Sequence, residues 1–279
     1  MTPRCFLPCR KCLLIPSVLS FCSPTRVLPL FTLSLFAAAA LADEPCPPRY
    51  SYCGYSGPAQ WPNITIESKK NECGGTRQSP ISLPAPSPTH GPVIGVEYTT
   101  CNATIRNTGH DIEVTPACDE NKTNTITIGE NVYKLVQLHF HVPSEHSIPG
   151  VAAVAEMHIL HQLIKGSGDE NAVIGVMLTK GKEYPALDLV FANLPETVCA
   201  ATKLLPIEFD QLLPKTKFAY YTYAGSLTTP PCTPSVIWYV LGAPQTILGS
   251  DWEKLRALGA NARPIQTNRP PLQVTYVRP

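Results

Sequence analysis

Thirty prolines among 279 residues constrain this chain more than any other feature. Each proline fixes φ near −65° and removes an amide donor, so long helices and unbroken central strands are confined to the stretches between them. The prolines gather in segments such as Leu83-Pro84-Ala85-Pro86-Ser87-Pro88. Between them lie short apolar runs that read as strands: Thr125 to Ile128, Val132 to His141, Val154 to His161, Ala172 to Leu178, Phe218 to Tyr223 and Val236 to Leu241. One short amphipathic helix is expected where Ser250-Asp251-Trp252-Glu253 matches a capping box ahead of Leu255 and Leu258. No linker, repeat or long charge block divides residues 43–279, so the pattern predicts one mainly β domain with short peripheral helices.

Residues 1–42 read as a targeting leader. The apolar run from Val27 to Ala42 ends in Ala40-Leu41-Ala42, the small-x-small pattern of a signal-peptidase site that would leave Asp43 first. A bipartite leader directing the chain to an organelle lumen is the alternative. No stable membrane anchor is expected, because the run is shorter than the roughly 20 apolar residues that cross a bilayer. Removing Arg4, Arg10, Lys11 and Arg26 from the 22 bases leaves 18 against 21 acids, about −3, which excludes the basic footprint of a nucleic-acid binder.

Cys5, Cys9, Cys12 and Cys22 would depart with the leader, leaving seven of eleven cysteines. Three glycosylation sequons begin at Asn63, Asn102 and Asn121. Together with the leader they favour disulfides in an oxidising, extracellular compartment over a thiolate metal site.

The chemistry concentrates in Gln137-Leu138-His139-Phe140-His141. Side chains alternate faces along a strand, so His139 and His141 project to one side. His158, in Ala155-Glu156-Met157-His158, is a third imidazole that a turn through Pro149-Gly150 would bring alongside. Three neutral imidazoles with an open fourth position form a catalytic zinc site. Gln137 and Glu156 each precede a histidine by two residues, on its face, where they would fix ring tautomers. His161 falls on the opposite face and His146 in a loop, so both are expected to make structural hydrogen bonds.

The chain resembles the α-class carbonic anhydrases of secreted type. The resemblance rests on Gln137-Leu138-His139-Phe140-His141, Ser144-Glu145-His146, Ala155-Glu156-Met157-His158 and Tyr223-Ala224-Gly225-Ser226-Leu227-Thr228-Thr229-Pro230-Pro231-Cys232, with Arg77-Gln78-Ser79-Pro80-Ile81, Asn107-Thr108-Gly109-His110 and Asn268-Arg269-Pro270 in the same order. It implies a central, mostly antiparallel twisted sheet of about ten strands with zinc at the bottom of a cleft, and the reversible hydration of carbon dioxide to bicarbonate and a proton by zinc-bound hydroxide. Carried over by position, His139, His141 and His158 would hold the zinc. Thr228 and Glu145 would orient the hydroxide, with Glu145 an orienter rather than a base. Leu160, Val173, Leu227 and Trp238 would form the apolar wall for carbon dioxide, and Thr229 would meet bicarbonate. His110 matches the proton shuttle, and Tyr55 a tyrosine of the solvent network. Carbon dioxide, bicarbonate and water are the implied partners.

Thr108 and Glu113 replace residues that are usually asparagine in the family, and Val142 replaces a common aromatic. Glu113 is expected to raise the pKa of His110, and Val142 to loosen packing behind the metal. The resemblance also implies a Cys73–Cys232 disulfide. Cys101 with Cys118 and Cys46 with Cys53 are further possible pairs, which would leave Cys199 free for an intermolecular bond. Two rival readings fit the residues less well. A cupin-type metal dioxygenase shares His139-x-His141-x-x-x-Glu145 but needs glycines and a second histidine block that are absent. A non-catalytic carbonic-anhydrase-like binding module would be expected to have lost one of the three histidines, all of which stand.

Overall fold

Each apolar run becomes a strand in the computed structural model, which describes residues 50–66, 70–119, 124–268 and 270–278. All of these fall within one compact unit, Pro45–Pro279. The leader, Cys46 and Asn121 lie outside the described residues.

The first half of the chain supplies β1 (Pro88–Thr89), β2 (Ile94–Glu97), β3 (Cys101–Asn107), β4 (Ile112–Pro116), β5 (Thr125–Ile128) and β6 (Asn131–His141). After these come β7 (Ala155–Lys165), β8 (Asn171–Lys180), helix α1 (Pro185–Ala192), β9 (Leu205–Ile207), β10 (Tyr220–Gly225) and β11 (Val236–Leu241). The order closes with β12 (Gln245–Ile247), helix α2 (Gly249–Ala257) and β13 (Thr275–Val277).

The strands form one 13-stranded sheet whose continuous path runs β1-β13-β10-β11-β8-β7-β6-β4-β3-β9, with β2, β5 and β12 attached beside it. The expected ten strands are thus this path, and three short strands extend it. Pairing is antiparallel except at β1–β13, β11–β8 and β12–β8.

The two faces of the sheet carry different cores. One buries Ile105, Val114, Leu138, Met157, Ile159, Ile174 and Val176 together with Leu187 and Phe191 of α1. The other gathers Leu160, Val173, Tyr223 and Trp238. Proline at the first position of α1 begins the helix rather than breaking it, because that position needs no amide donor. The expected capping box does not form at α2. The helix starts at Gly249, no side chain caps it, Asp251 is buried against Lys254 at 3.0 Å, and Leu258 is exposed. No helix among the described residues is long and apolar enough to cross a membrane.

Cys73 is bonded to Cys232 and Cys101 to Cys118. These disulfides place the fold in an oxidising compartment. Cys199 is itself disulfide-bonded, so the expectation that it stands free for an intermolecular bond does not hold.

Candidate active site

Strand register builds the site in rows across the sheet. His139 on β6 faces His158 on β7, which faces Gly175 on β8. One row over, Gln137 faces Leu160, Leu160 faces Val173, Val173 faces Trp238 and Trp238 faces Tyr223. On the far side of the histidine row, His141 faces Glu156. Gly175 leaves a hollow in the middle, where an added Cβ would stand 3.1 Å from Glu156 Oε1. Two adjacent strands, β6 with His139 and His141 and β7 with His158, therefore deliver three imidazoles to one spot. Ring centroids are 4.9 Å apart for His139 and His141, 5.2 Å for His139 and His158, and 4.6 Å for His141 and His158.

One nitrogen of each ring is already engaged. His139 Nδ1 donates to Gln137 Oε1 at 2.8 Å, His141 Nδ1 to the Asn261 carbonyl at 2.8 Å, and His158 Nε2 to Glu156 Oε1 at 2.9 Å. The remaining nitrogens converge within 4.8 Å of one another, a group able to hold a metal ion. His141 Nε2 is buried with no hydrogen-bond partner. Burial lowers the pKa of all three rings, most strongly at His139, where the other two imidazoles add to the effect. Neutral imidazole is the form that binds a metal.

Glu156 anchors the surroundings. Its buried carboxylate accepts five hydrogen bonds, from Ser144 Oγ, the amides of Glu145 and His146, His146 Nδ1 and His158 Nε2. Burial alone would raise its pKa, but His146 and His158 hold it well below the ordinary carboxylate range. His146 continues the chain to Tyr223 Oη at 2.6 Å, and Tyr223 reaches Ser79 Oγ at 2.9 Å. His161, on the other face, is bonded to Tyr98 and donates to the Ala172 carbonyl.

Glu145 is fully enclosed. Its Oε1 accepts the Arg263 amide at 2.7 Å, and Oε2 lies 4.0 Å from His158 Nδ1 with no well-formed hydrogen bond of its own. Burial pushes its pKa up to about 7, against the pull of His158, the Arg263 amide and the adjacent Thr228 hydroxyl. Thr228 is buried beside it, while Leu227 and Thr229 are partly exposed. Leu227 packs with Leu160, Val173 and Trp238 in a single apolar cluster.

His110 is half-buried, with its ring 4.4 Å from Tyr50 and 5.6 Å from Tyr52. Burial lowers its pKa and the neighbouring Asp111 opposes that. The carboxylate acting on His110 is therefore Asp111, not the expected Glu113. Glu113 sits on β4 opposite His139 and accepts a hydrogen bond from Thr115 Oγ1 at 2.8 Å. Val142 is packed into the larger core with its amide bonded to Asn261 Oδ1. Tyr55 stands fully exposed, which removes it from any internal network. The tyrosine at the site is Tyr52, whose pKa burial raises strongly, followed by Tyr50, Glu145 and Asp111, with Arg263 pulling the other way. Sequence reasoning missed Tyr52, Asn261 and Arg263. The alternation Tyr50-x-Tyr52 was a signal for the first, but nothing local marked the other two.

The family model for eukaryotic-type carbonic anhydrase matches residues 56–279. A carbonic anhydrase of Neisseria gonorrhoeae is 35% identical over 247 residues, 87% of this chain and 92% of that protein. Alpha carbonic anhydrase 2 of Arabidopsis thaliana is 36% identical over 198 residues, 69% of this chain and 78% of that protein. Among solved structures, the α-carbonic anhydrase of Thermovibrio ammonificans in complex with the inhibitor sulfanilamide superposes with a TM-score of 0.71 at 31% identity, covering 82% of this chain and 98% of that one.

Proposed function

The chain belongs to the eukaryotic-type carbonic anhydrase family, and from that premise we propose a zinc-dependent mechanism built on His139, His141 and His158. It is an enzyme that interconverts carbon dioxide and bicarbonate. The single observation that carries the zinc assignment is the buried, unpartnered Nε2 of His141, among rings whose other nitrogens are all engaged. His139 and His141 would offer Nε2 and His158 Nδ1. Zinc bound there supplies the acidity that makes water a nucleophile near neutral pH.

The chain's own groups do the rest. Gln137, the Asn261 carbonyl and Glu156 fix the three rings in the tautomers the metal needs. In its ionised form Glu145 accepts a hydrogen bond from the Thr228 hydroxyl, which leaves the Thr228 oxygen to accept a hydrogen bond from the nucleophilic water and aim its lone pair. Leu160, Val173, Leu227 and Trp238 offer an apolar wall for carbon dioxide, and Thr229 stands where bicarbonate leaves. His110, kept neutral by burial, accepts the released proton and passes it outward, with Tyr52 rather than Tyr55 at the inner end of that route.

We also propose residues 1–42 as the targeting leader of a secreted, glycosylated protein comprising 43–279. Supporting this are the two disulfides and the exposure of Asn63 and Asn102. Hydration of carbon dioxide measured on purified protein before metal removal, after it, and after zinc is restored tests the central assignment. Activity should vanish and return, and unchanged activity in the metal-free protein would overturn it.

A further inference from the structure

A short segment, Asn261-Ala262-Arg263, touches both halves of the site. Asn261 accepts from His141 through its carbonyl and is tied to the end of β6 and the residue after it, by its amide donating to the Val142 carbonyl, its Oδ1 accepting from the Val142 amide and its Nδ2 donating to the Phe140 carbonyl. Two residues on, the Arg263 amide donates to Glu145 Oε1. Pro264 follows, restricting Arg263 to extended backbone and so fixing where that amide points.

The Arg263 side chain runs the other way and is 3% exposed. Nη1 donates to the Ser79 carbonyl at 2.7 Å, Nη2 to the Cys73 carbonyl at 3.1 Å, and Cζ lies 5.6 Å from the Trp61 ring. Both terminal nitrogens thus serve main-chain carbonyls rather than a carboxylate. Glu145 attracts this cation without a hydrogen bond to it, and a buried charge so loosely paired is a poor source of stability, so the arrangement is better explained by what it holds in place.

What it holds is the segment 72–79, itself clasped to the segment carrying Thr228. The Glu72 amide donates to the Pro231 carbonyl at 2.9 Å and Gln78 Nε2 to the Cys232 carbonyl at 3.1 Å. The Ser79 amide donates to Ser226 Oγ at 2.9 Å and the Ser226 amide to Ser79 Oγ at 3.1 Å. The Cys73–Cys232 disulfide adds a covalent tie. Resting on the proposed roles of Thr228 and Glu145, we infer that Arg263 is a positioning residue that fixes those two side chains relative to each other, its amide on Glu145 and its guanidinium on the clasp beneath Thr228.

The test is a mutant cycle on the zinc-loaded enzyme with Arg263→Met, Arg263→Lys, Thr228→Ala and the double variant Arg263→Met/Thr228→Ala. Arg263→Met should lower kcat/KM for hydration by roughly tenfold to a hundredfold, the cost of misplacing an orienting group. Arg263→Lys, which keeps the charge but loses the fork, should fall between. In the Thr228→Ala background the Met substitution should cost less than about twofold, because nothing remains for Arg263 to position. Hydrogen exchange on the metal-free protein provides a readout independent of activity. Peptides spanning 72–79 and 226–232 should exchange faster in Arg263→Met, while those in β7 and β8 stay protected. Equal losses in both backgrounds, or exchange accelerated throughout the sheet, would overturn the inference. If Thr228→Ala alone leaves activity intact, the orientation reading fails and this inference falls with it. Should Arg263→Met not fold, the same cycle run with Arg263→Lys decides the matter.

Discussion

His139 and His158 are direct register partners across β6 and β7, with their rings 89° apart in orientation. Cross-strand partners on one face are held by the ladder itself, so their spacing does not depend on a metal being present. His158→Ala should therefore remove one of three zinc nitrogens while leaving the ladder intact. Zinc content of the purified variant should drop well below one per chain, and hydration should fall to the uncatalysed background. Far-ultraviolet circular dichroism should match wild type. Full activity in a correctly folded variant would sink the assignment.

Glu156 gathers five donors around one carboxylate. Glu156→Gln would put an amide NH2 where only acceptors fit, so at least one buried donor would face another. Removing one partner of such a buried charged network costs about 3 to 5 kcal/mol, which denaturant unfolding would register. Competition against a chelator should show zinc held about 10 to 100 times more weakly. A variant matching wild type in both measurements would mean that the network orients nothing.

His161 predicts a pH dependence. Its pKa lies near 3 because burial disfavours the cation, against an ordinary value of 6.5. As pH falls between those values the unfolded chain takes up a proton that the folded chain refuses. Stability present above pH 6.5 is then lost at about 1.4 kcal/mol per pH unit through this window. His161→Gln, which keeps a donor for the Ala172 carbonyl and an acceptor for Tyr98, should be less stable at neutral pH but lose less on acidification. Parallel stability curves for the metal-free variant and wild type would refute the role given to burial.

The parts of this protein that were legible in its sequence are those in which period-2 alternation does the work. Gln137, His139 and His141 share a face of β6, and Glu156 and His158 a face of β7, because they are spaced by two, and the turn through Pro149-Gly150 brings the two sets together. Asn261 and Arg263 were invisible because they reach the site from more than a hundred residues away through an irregular segment. Tyr52 and Tyr55 lie three apart in a stretch of short turns, where the alternation Tyr50-x-Tyr52 was the one local sign favouring the half-buried Tyr52 over the exposed Tyr55. Helix α1 was hidden by Pro185, which reads as a breaker until its place at the first helical position is known.

Proton transfer should separate from carbon dioxide attack. His110→Ala should lower turnover in weak buffer, and small imidazole-type buffers should restore much of it, since only regeneration of the nucleophile needs a proton outlet. Tyr52→Phe should also lower turnover, because its hydroxyl is buried among Glu145, Asp111 and Arg263. Tyr55→Phe should change nothing, its ring being in solvent. Loss of activity in Tyr55→Phe with none in Tyr52→Phe would reverse the assignment, and failure of buffer rescue would give His110 another role.

Reduction should uncouple activity from global stability. The Cys73–Cys232 bond closes a loop of 159 residues, and in the chain-entropy model a loop of that size stabilises the fold by roughly 3 to 5 kcal/mol. Thermal stability should therefore fall when the bond is reduced. Its position makes a sharper demand. Cys232 lies four residues after Thr228, and its amide donates to the Thr229 carbonyl at 2.8 Å. The hydrogen bonds between segments 72–79 and 226–232 remain after reduction, so the fold should persist while the Thr228 loop gains freedom. Activity measured during a reductant titration should then decline before the fluorescence of the three tryptophans, Trp61, Trp238 and Trp252, reports unfolding. Cys101–Cys118 ties β3 to the segment after β4, away from Thr228, so Cys101→Ser/Cys118→Ser should lose stability without the early loss of activity. Simultaneous loss of activity and structure in wild type would show that the bridge stabilises the fold as a whole and does not act through the Thr228 loop.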